Sequence, residues 1–460
     1  MKNLKIDKYK LAILLLAVCC FPNFTNAQTN GRARIKLDIE RQIGEIDSLI
    51  YGNFVEHLGH CIYGRLYDPG SPLSDEDGYR KDVIQVRKEL NISIVRWLGG
   101  YFVSGYHWDD GIVPKDQRPT RIDLVWGFRE NNCFGTDEYV DWCRKVNTEP
   151  YFCVNLGAGT MEEARNWVEY CNVDKGAYYS ALRIKYGNKE PFNAKYWGLG
   201  NEMDGHWPVG HKDAEDYDKF ALETAKLMKW LDHNIKLVAA GSSDYGGEWI
   251  HWNRTVLEYL VDHVDYIALH NYVSNHDNDY YKFMGATQFA EEASHITKGI
   301  IHEELSKARR KEPIYIASDE YNVWYRARGD EGNEEIYSPE DVLVVASYLN
   351  TFVRNADIVK MANLAQLVNV IAPIFTTEDG LFYQTIFYPM QLFANNCYGT
   401  AIDAYVDCQT YQVENKDVPY LDVSSAYNKA ENEIILKVVT RYKEEAIATD
   451  ILSQFGQLSG

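Results

Sequence analysis

A (β/α)8 barrel carrying a smaller β-sandwich of jelly-roll-like character, an α/β fold overall, is the class this sequence predicts. Three observations lead there. Eight short apolar, β-branched or aromatic runs recur between about residues 50 and 375. Amphipathic helical patterns separate them. Past residue 375 the long helical patterns stop and alternating runs such as Ile434–Thr440 take over. Strands alternating with helices argue for a parallel sheet, and eight such units close into a barrel. An open doubly wound sheet is disfavoured, because no glycine-rich dinucleotide loop follows an early strand.

The 460 residues suffice for one large barrel plus one small domain. Residues 1–27 read as a secretory signal peptide. Lys2, Lys5, Lys8 and Lys10 precede an apolar run from Leu11 to Phe21 and the small-residue ending Thr25-Asn26-Ala27. That layout predicts a secreted or periplasmic protein. Residues 28–45 read as a strand that joins the β domain, since Arg32–Ile43 alternates. The barrel is expected over residues 46–375. Its predicted strands are Ile50–Gly59, Ile94–Gly100, Pro150–Leu156, Lys195–Glu202, Lys236–Ser242, Val264–Val273, Pro313–Asn322 and Met361–Ala372. Predicted helices between them are Asp82–Leu90, Met161–Cys171, Ala214–Leu231, Trp252–His263, Phe289–Lys311 and Pro339–Ala356. Residues 376–460 are expected to be β-rich, with no long helix. The pattern is still running at Gly460, so that domain is expected to be truncated.

Composition removes several function classes. A formal charge of −20 is a poor match for nucleic acid. Apart from the leader, no stretch is apolar enough for a membrane span. Nine cysteines, two of them in the leader, have scattered spacing. They read as buried small hydrophobes rather than a zinc site or a disulfide scaffold. The 12 histidines show no metal-ligand spacing either. Neither a metal nor a cofactor is expected.

Barrel enzymes carry their reactive groups at the C-terminal ends of the strands. Most predicted strand ends here supply a polar residue. Two stand out: Tyr196-Trp-Gly-Leu-Gly-Asn-Glu202, and Pro313-Ile-Tyr-Ile-Ala-Ser-Asp-Glu320. They deliver carboxylates from strands four and seven, which face each other across the barrel mouth. Glycoside cleavage needs such a pair: an acid for the leaving oxygen and a carboxylate on the other face of the sugar. The chain is also rich in Tyr and Trp, with 34 and 11. Several fall at strand ends, where aromatic faces can stack on sugar rings.

Six ordered motifs sharpen this. They are Ile50-Tyr-Gly-Asn-Phe-Val-Glu-His-Leu-Gly59, Arg96-Trp-Leu-Gly-Gly-Tyr-Phe-Val-Ser104, Trp197-Gly-Leu-Gly-Asn-Glu-Met-Asp-Gly205, Leu269-His-Asn-Tyr272, Asp319-Glu-Tyr-Asn-Val-Trp324 and Ala362–Pro373. In these the chain resembles the α-L-arabinofuranosidases of glycoside hydrolase family 51, over roughly residues 45–390. The resemblance implies Glu202 as acid/base and Glu320 as nucleophile of a retaining double displacement. It places Asn201 on the hydroxyl beside the anomeric carbon. It places Glu56, Tyr272 and Gln366 around the furanose, with Tyr101 and Trp207 at the substrate site. Arg96 and His270 would support the carboxylates. The implied activity is exo-hydrolysis of terminal α-L-arabinofuranosyl units from arabinan or arabinoxylan. Homo-oligomers are common in the family.

The chain departs from the family pattern at three places. Leu98-Gly-Gly-Tyr101 replaces Pro-Gly-Gly-Asn, Trp207-Pro208 replaces Trp-Gln, and Asp319-Glu-Tyr-Asn322 replaces Asp-Glu-Trp-Asn. Tyr101 cannot offer both functions of an amide. It keeps open a β-xylosidase or endo-β-1,4-glucanase on the same scaffold. A non-catalytic carbohydrate-binding protein would not need both Glu202 and Glu320.

Overall fold

A computed structural model describes residues 32–327 and 333–454. The segment read as a signal peptide, residues 1–27, lies outside them. Eight parallel strands close into a barrel. In chain order they are Gly52–Phe54, Ile94–Arg96, Glu149–Val154, Tyr196–Leu199, Lys236–Ala239, Tyr266–Val273, Tyr315–Val323 and Val359–Ala365, called barrel strands one to eight below. Asn363 of strand eight pairs with Gly52 of strand one and shuts the ring. Each strand overlaps a run expected from the sequence. Several end earlier than expected, because the chain leaves the extended pattern where it enters the barrel mouth.

Ile94, Tyr151, Tyr196, Val238, Tyr266, Ala268, Ala317 and Met361 form a buried cluster drawn from every one of strands two to eight. The barrel is thus a packed core, not a pore. The main core lies outside it, between strands and helices. Helices Lys81–Leu90, Met161–Asn172, Ala214–Leu231, Trp249–Leu260, Gln288–Ala308 and Pro339–Arg354 occupy the six expected places. Local chemistry sets their starts. Thr160 and Asp213 accept from Glu163 N at 3.1 Å and Asp216 N at 2.8 Å, satisfying donors that a helix N-terminus leaves free. None of the described helices is long and apolar enough to cross a membrane. The seven cysteines of the described residues are free thiols, five of them buried.

Four of the described α-helices were not anticipated, two of them short, Tyr178–Lys185 and Tyr280–Gly285. Thr136–Val146 follows a long irregular stretch. Phe387–Asn396 corrects the expectation of no long helix after residue 375. Its Pro389 sits in the first turn, where an N–H has no intrahelical partner to lose. Phe387, Met390, Phe393 and Ala394 recur on one buried face.

Five of the remaining described strands form a sheet built from both ends of the chain, and the other six pair as three two-stranded ribbons. The order in the sheet is Glu433–Thr440, Leu421–Asn428, Thr400–Asp407, Arg32–Glu45, Ala448–Ser453. Arg32–Glu45 runs antiparallel to Thr400–Asp407 and parallel to Ala448–Ser453, so the N-terminal strand lies inside the sheet. A buried ionic group joins sheet to barrel. Asp422 takes Arg354 Nη1 at 2.8 Å and Arg441 Nη2 at 3.3 Å, and Asn350 Nδ2 donates to it at 3.0 Å. Burial pushes the Asp422 carboxyl up, but the two arginines outweigh it and hold the group below its ordinary range. This pairing stabilises the fold above the ordinary aspartate pKa, and the effect is lost as pH falls through the depressed value. Asp422→Ala leaves the buried Arg441 guanidinium without its carboxylate, whereas Arg354 keeps Glu291 at 2.7 Å. The substitution is expected to cost about 3–5 kcal/mol in denaturant unfolding, with the gap from the parent narrowing in acid.

Candidate active site

The site forms where strands one, two, four, six, seven and eight open at the C-terminal face. Gly200, at φ +82°, ends strand four, and Glu202 itself takes a left-handed conformation at φ 47°. An L-residue adopts this at a cost of about 1–2 kcal/mol, so the turn that presents Glu202 is held by its surroundings. Strand seven solves a different problem. Successive strand residues ordinarily face opposite sides. Register shifts between Ala317 and Tyr321, against both neighbouring strands, break that alternation. Asp319 and Glu320 consequently both reach the barrel interior.

Arg96 organises these groups. Its Nη1 donates to Glu320 Oε1 at 2.6 Å and its Nη2 to Asn201 Oδ1 at 2.5 Å, while its Nε lies 3.4 Å from Asp319 Oδ2. Tyr272 Oη donates to Glu320 Oε2 at 2.9 Å. Tyr151 Oη donates to Asp319 Oδ2 at 2.7 Å. His270 bridges the carboxylates, with Nδ1 2.8 Å from Glu202 Oε1 and Nε2 3.2 Å from Asp319 Oδ1. Trp207 Nε1 donates to Glu202 Oε2 at 2.6 Å. Glu56 Oε1 accepts from Trp126 Nε1 and Oε2 from Gln366 Nε2, both at 3.2 Å. The pair Gly99-Gly100 is dictated by this crowding. A Cβ on Gly99 would meet the Arg96 guanidinium at 2.7 Å, and one on Gly100, already at φ +61°, would meet Glu56 Oε1 at 2.1 Å.

Charge is apportioned unevenly. Burial raises the Glu202 carboxyl; the His270 hydrogen bond opposes this and the Glu320 charge adds to it. Burial, with the Glu320 charge, pushes Glu56 up to about 8. Burial also acts to raise Asp319, but Arg96 and His270 outweigh it and hold that group below its ordinary range. Burial works against a charged His270, yet Glu320, Asp319 and Glu202 raise it well above the ordinary imidazole range. Two cations, Arg96 and His270, therefore face Asp319 and Glu320. The two other carboxyls, Glu202 and Glu56, favour their neutral forms.

Glu202, His270 and Glu320 hold their ligand-capable atoms within 4.8 Å of one another, the grouping among the described residues that could surround a metal ion. Arg96 beside the group, and the positive charge that His270 within it favours, work against a metal there. The same geometry sets a carboxyl of raised proton affinity, Glu202, opposite the ion-paired carboxylate of Glu320. They border a pocket of about 210 Å³ lined also by Glu56, Tyr101, Trp126, Trp207, Tyr272 and Gln366.

All ten residues singled out from the sequence thus converge on one mouth. Tyr101 stacks on Trp126, with centroids 5.5 Å apart and planes at 15°. It forms an aromatic wall where an amide was the family pattern. Sequence reasoning missed Trp126, which comes from the irregular stretch between strands two and three and carries no local signal. It also gave no role to Asp319 or Tyr151, the anchors of Arg96 and His270. A second carboxylate beside Glu320 was visible, but nothing in the sequence showed that both would face inward.

Known proteins resemble this chain over nearly its whole length. A family model described as α-L-arabinofuranosidase 1 domain matches residues 86–292. One described as α-L-arabinofuranosidase C-terminal domain matches residues 319–454. A Bacillus subtilis protein named intracellular exo-α-(1→5)-L-arabinofuranosidase 1 is 42% identical, over 91% of this chain and 87% of its own. The crystal structure of an α-L-arabinofuranosidase from Thermotoga maritima in complex with arabinose superposes with a TM-score of 0.85 at 39% identity, covering 92% and 88% of the two chains. A family 51 α-L-arabinofuranosidase from Bifidobacterium longum does so with a TM-score of 0.88 at 31% identity, with the same coverage. Relatives from Halalkalibacterium halodurans and Acetivibrio thermocellus, 43% and 42% identical over 90% of this chain and 86% of each of theirs, are also named intracellular. These names overturn the expectation of a secreted or periplasmic protein. A charged and apolar N-terminus met the pattern of a leader, but pattern alone does not establish export. Fold, ordered motifs and relatives agree that the chain is a glycoside hydrolase and belongs to the α-L-arabinofuranosidases of family 51.

Proposed function

We propose that the chain releases terminal α-L-arabinofuranosyl units from arabinan or arabinoxylan with retention of anomeric configuration. The observation that carries the reading is the Glu202–Glu320 pair, whose oxygens approach within 4.8 Å. Direct attack by a carboxylate needs the carboxyl groups about 5–5.5 Å apart, whereas inversion needs about 6.5–9.5 Å to admit water. In the first step Glu320 Oε2, on the Tyr272 side, attacks the anomeric carbon. The glycosidic bond breaks, its electron pair passes to the leaving oxygen, and that oxygen takes the Glu202 proton. A glycosyl ester on Glu320 results. In the second step ionised Glu202 removes a proton from water, the hydroxide oxygen bonds to the same carbon, and Glu320 leaves as carboxylate.

The other residues position the sugar. Asn201 Nδ2 and Gln366 Oε1 are buried without protein partners, and sugar hydroxyls suit both. Neutral Glu56 can donate a hydrogen bond as well as accept one. Trp207 and Tyr101 border the side on which Glu202 sits. The same reading divides the chain into a barrel over residues 46–375 and a β-rich unit over 376–460 joined by 28–45. Release of p-nitrophenol from p-nitrophenyl α-L-arabinofuranoside, compared with the β-D-xyloside, tests it. Preference for the arabinofuranoside is expected. Turnover of the xyloside alone would mean that Tyr101 has redirected the site.

A further inference from the structure

A second cavity, of about 370 Å³, lies beside the catalytic pocket. It opens between the loops that follow strands four and five. Asp204, His206 and His211 line it from the first loop, and Asp244, Glu248 and Trp249 from the second. Its size falls in the range of ligand clefts. The mechanism above uses none of these residues.

The two cavities share a wall. Asp204 accepts from the backbone N–H of Ser243 at 2.8 Å and of Asp244 at 2.9 Å, and from the Ser243 hydroxyl at 2.5 Å. Ser243 lines the catalytic pocket, and Asp204 and Asp244 line the second cavity. Asp204 also stands two residues after Glu202 on the same loop. Glu202 is the group that meets the leaving oxygen, so whatever is attached to that oxygen departs on this side of the pocket.

The lining suits a neutral sugar. Trp249 is half-buried and held edge-on by Tyr245, at 5.4 Å and 68°, and by Phe289, at 6.3 Å and 71°. A ring fixed in this way offers its free face at little entropic cost. Asp204, Asp244 and Glu248 can accept hydrogen bonds from hydroxyls, and Lys212 can donate to them.

We propose that this cleft binds the leaving-group portion of a neutral arabino-oligosaccharide, beyond the sugar next to the cut. The inference rests on the function proposed above and extends it to the recognised polymer.

Kinetics on two substrates test it. p-Nitrophenyl α-L-arabinofuranoside ends at its aryl group, whereas linear α-1,5-linked arabinopentaose reaches further. Trp249→Ala and, at an exposed position, His206→Ala are compared with the parent. The expected result is a KM for arabinopentaose raised about tenfold in Trp249→Ala, the scale of one lost aromatic contact. A smaller rise is expected in His206→Ala, with kcat/KM on the aryl substrate unchanged in both. Equal losses on both substrates, or unchanged kinetics on arabinopentaose in both variants, would overturn the proposal. If the parent itself fails on the aryl substrate, the proposed function is what has failed, and the cleft assignment goes with it.

Discussion

Glu320→Gln is expected to lower kcat by roughly 10⁴- to 10⁶-fold, the scale seen when a covalent nucleophile is removed from a preorganised site. The amide keeps the shape of the side chain; its one oxygen can still accept from Arg96, now 2.6 Å from the carboxylate, and its NH2 can donate to the Tyr272 hydroxyl, now at 2.9 Å. It cannot attack an anomeric carbon. Loss of turnover should come with only a modest fall in thermal midpoint, because Asp319 remains beside the Arg96 guanidinium at 3.4 Å. Stopped or single-turnover assays on the p-nitrophenyl substrate would show no burst. A variant that kept more than about a hundredth of parental kcat would show that Glu320 does not form the covalent bond, since that falls below the usual span of such effects.

Glu202→Ala is expected to show a loss that depends on the leaving group. With arabino-oligosaccharides the departing alkoxide needs a proton, and kcat/KM should drop about 10²- to 10⁴-fold. With p-nitrophenol, already a good leaving group, bond cleavage should suffer far less, and hydrolysis of the glycosyl ester should limit turnover. Azide needs no general base and should restore turnover by entering the truncated site. The pH profile gives an independent check. Burial raises the Glu202 carboxyl, the His270 bond opposes this, and the Glu320 charge adds to the rise. The reactive form is the protonated one, so parental kcat/KM must fall as pH rises through that raised value. The variant should lack this alkaline limb. An identical limb in the variant would assign it elsewhere, with Glu56, pushed up to about 8, as the next candidate.

How far the sequence reached can be followed residue by residue. Barrel strands and the six helices were legible because their periodicities extend over many residues and agree with one another. Glu202 and Glu320 were legible because a barrel places strand tips at one face, which turns a linear pattern into a spatial one. The neutral character of Glu56 was not. It arises from burial under Gly100 and from the nearby Glu320 charge, and both depend on segments far apart in the chain. Asp319 was hidden by the strand irregularity at 317–321, which no local propensity announces. Trp126 was hidden because loop conformation is set by what the loop packs on, here Tyr101 and Glu56. The helix Phe387–Asn396 was missed because its proline reads as a breaker until its place in the first turn is known.

The departures at Leu98 and Tyr101 acquire a physical meaning. Leu98 is buried, and the following glycines still make the close approach to Arg96 and Glu56. Tyr101 exchanges an amide for a ring stacked on Trp126, and burial beside Glu202 raises its phenol above the ordinary range. Its hydroxyl therefore stays a neutral donor at any working pH. The wall of the pocket becomes more apolar while the carboxylate pair is untouched.

The stereochemistry of the first-formed product tests the central claim most directly. Proton NMR of the arabinose released from p-nitrophenyl α-L-arabinofuranoside, recorded before mutarotation, distinguishes the two courses. For a Glu202–Glu320 pair with nearest oxygens within 4.8 Å, the proposed double displacement predicts that the α-anomer appears first and the β-anomer grows in later. Initial accumulation of the β-anomer would mean a single displacement by water, and would contradict the assignment of Glu320 as nucleophile.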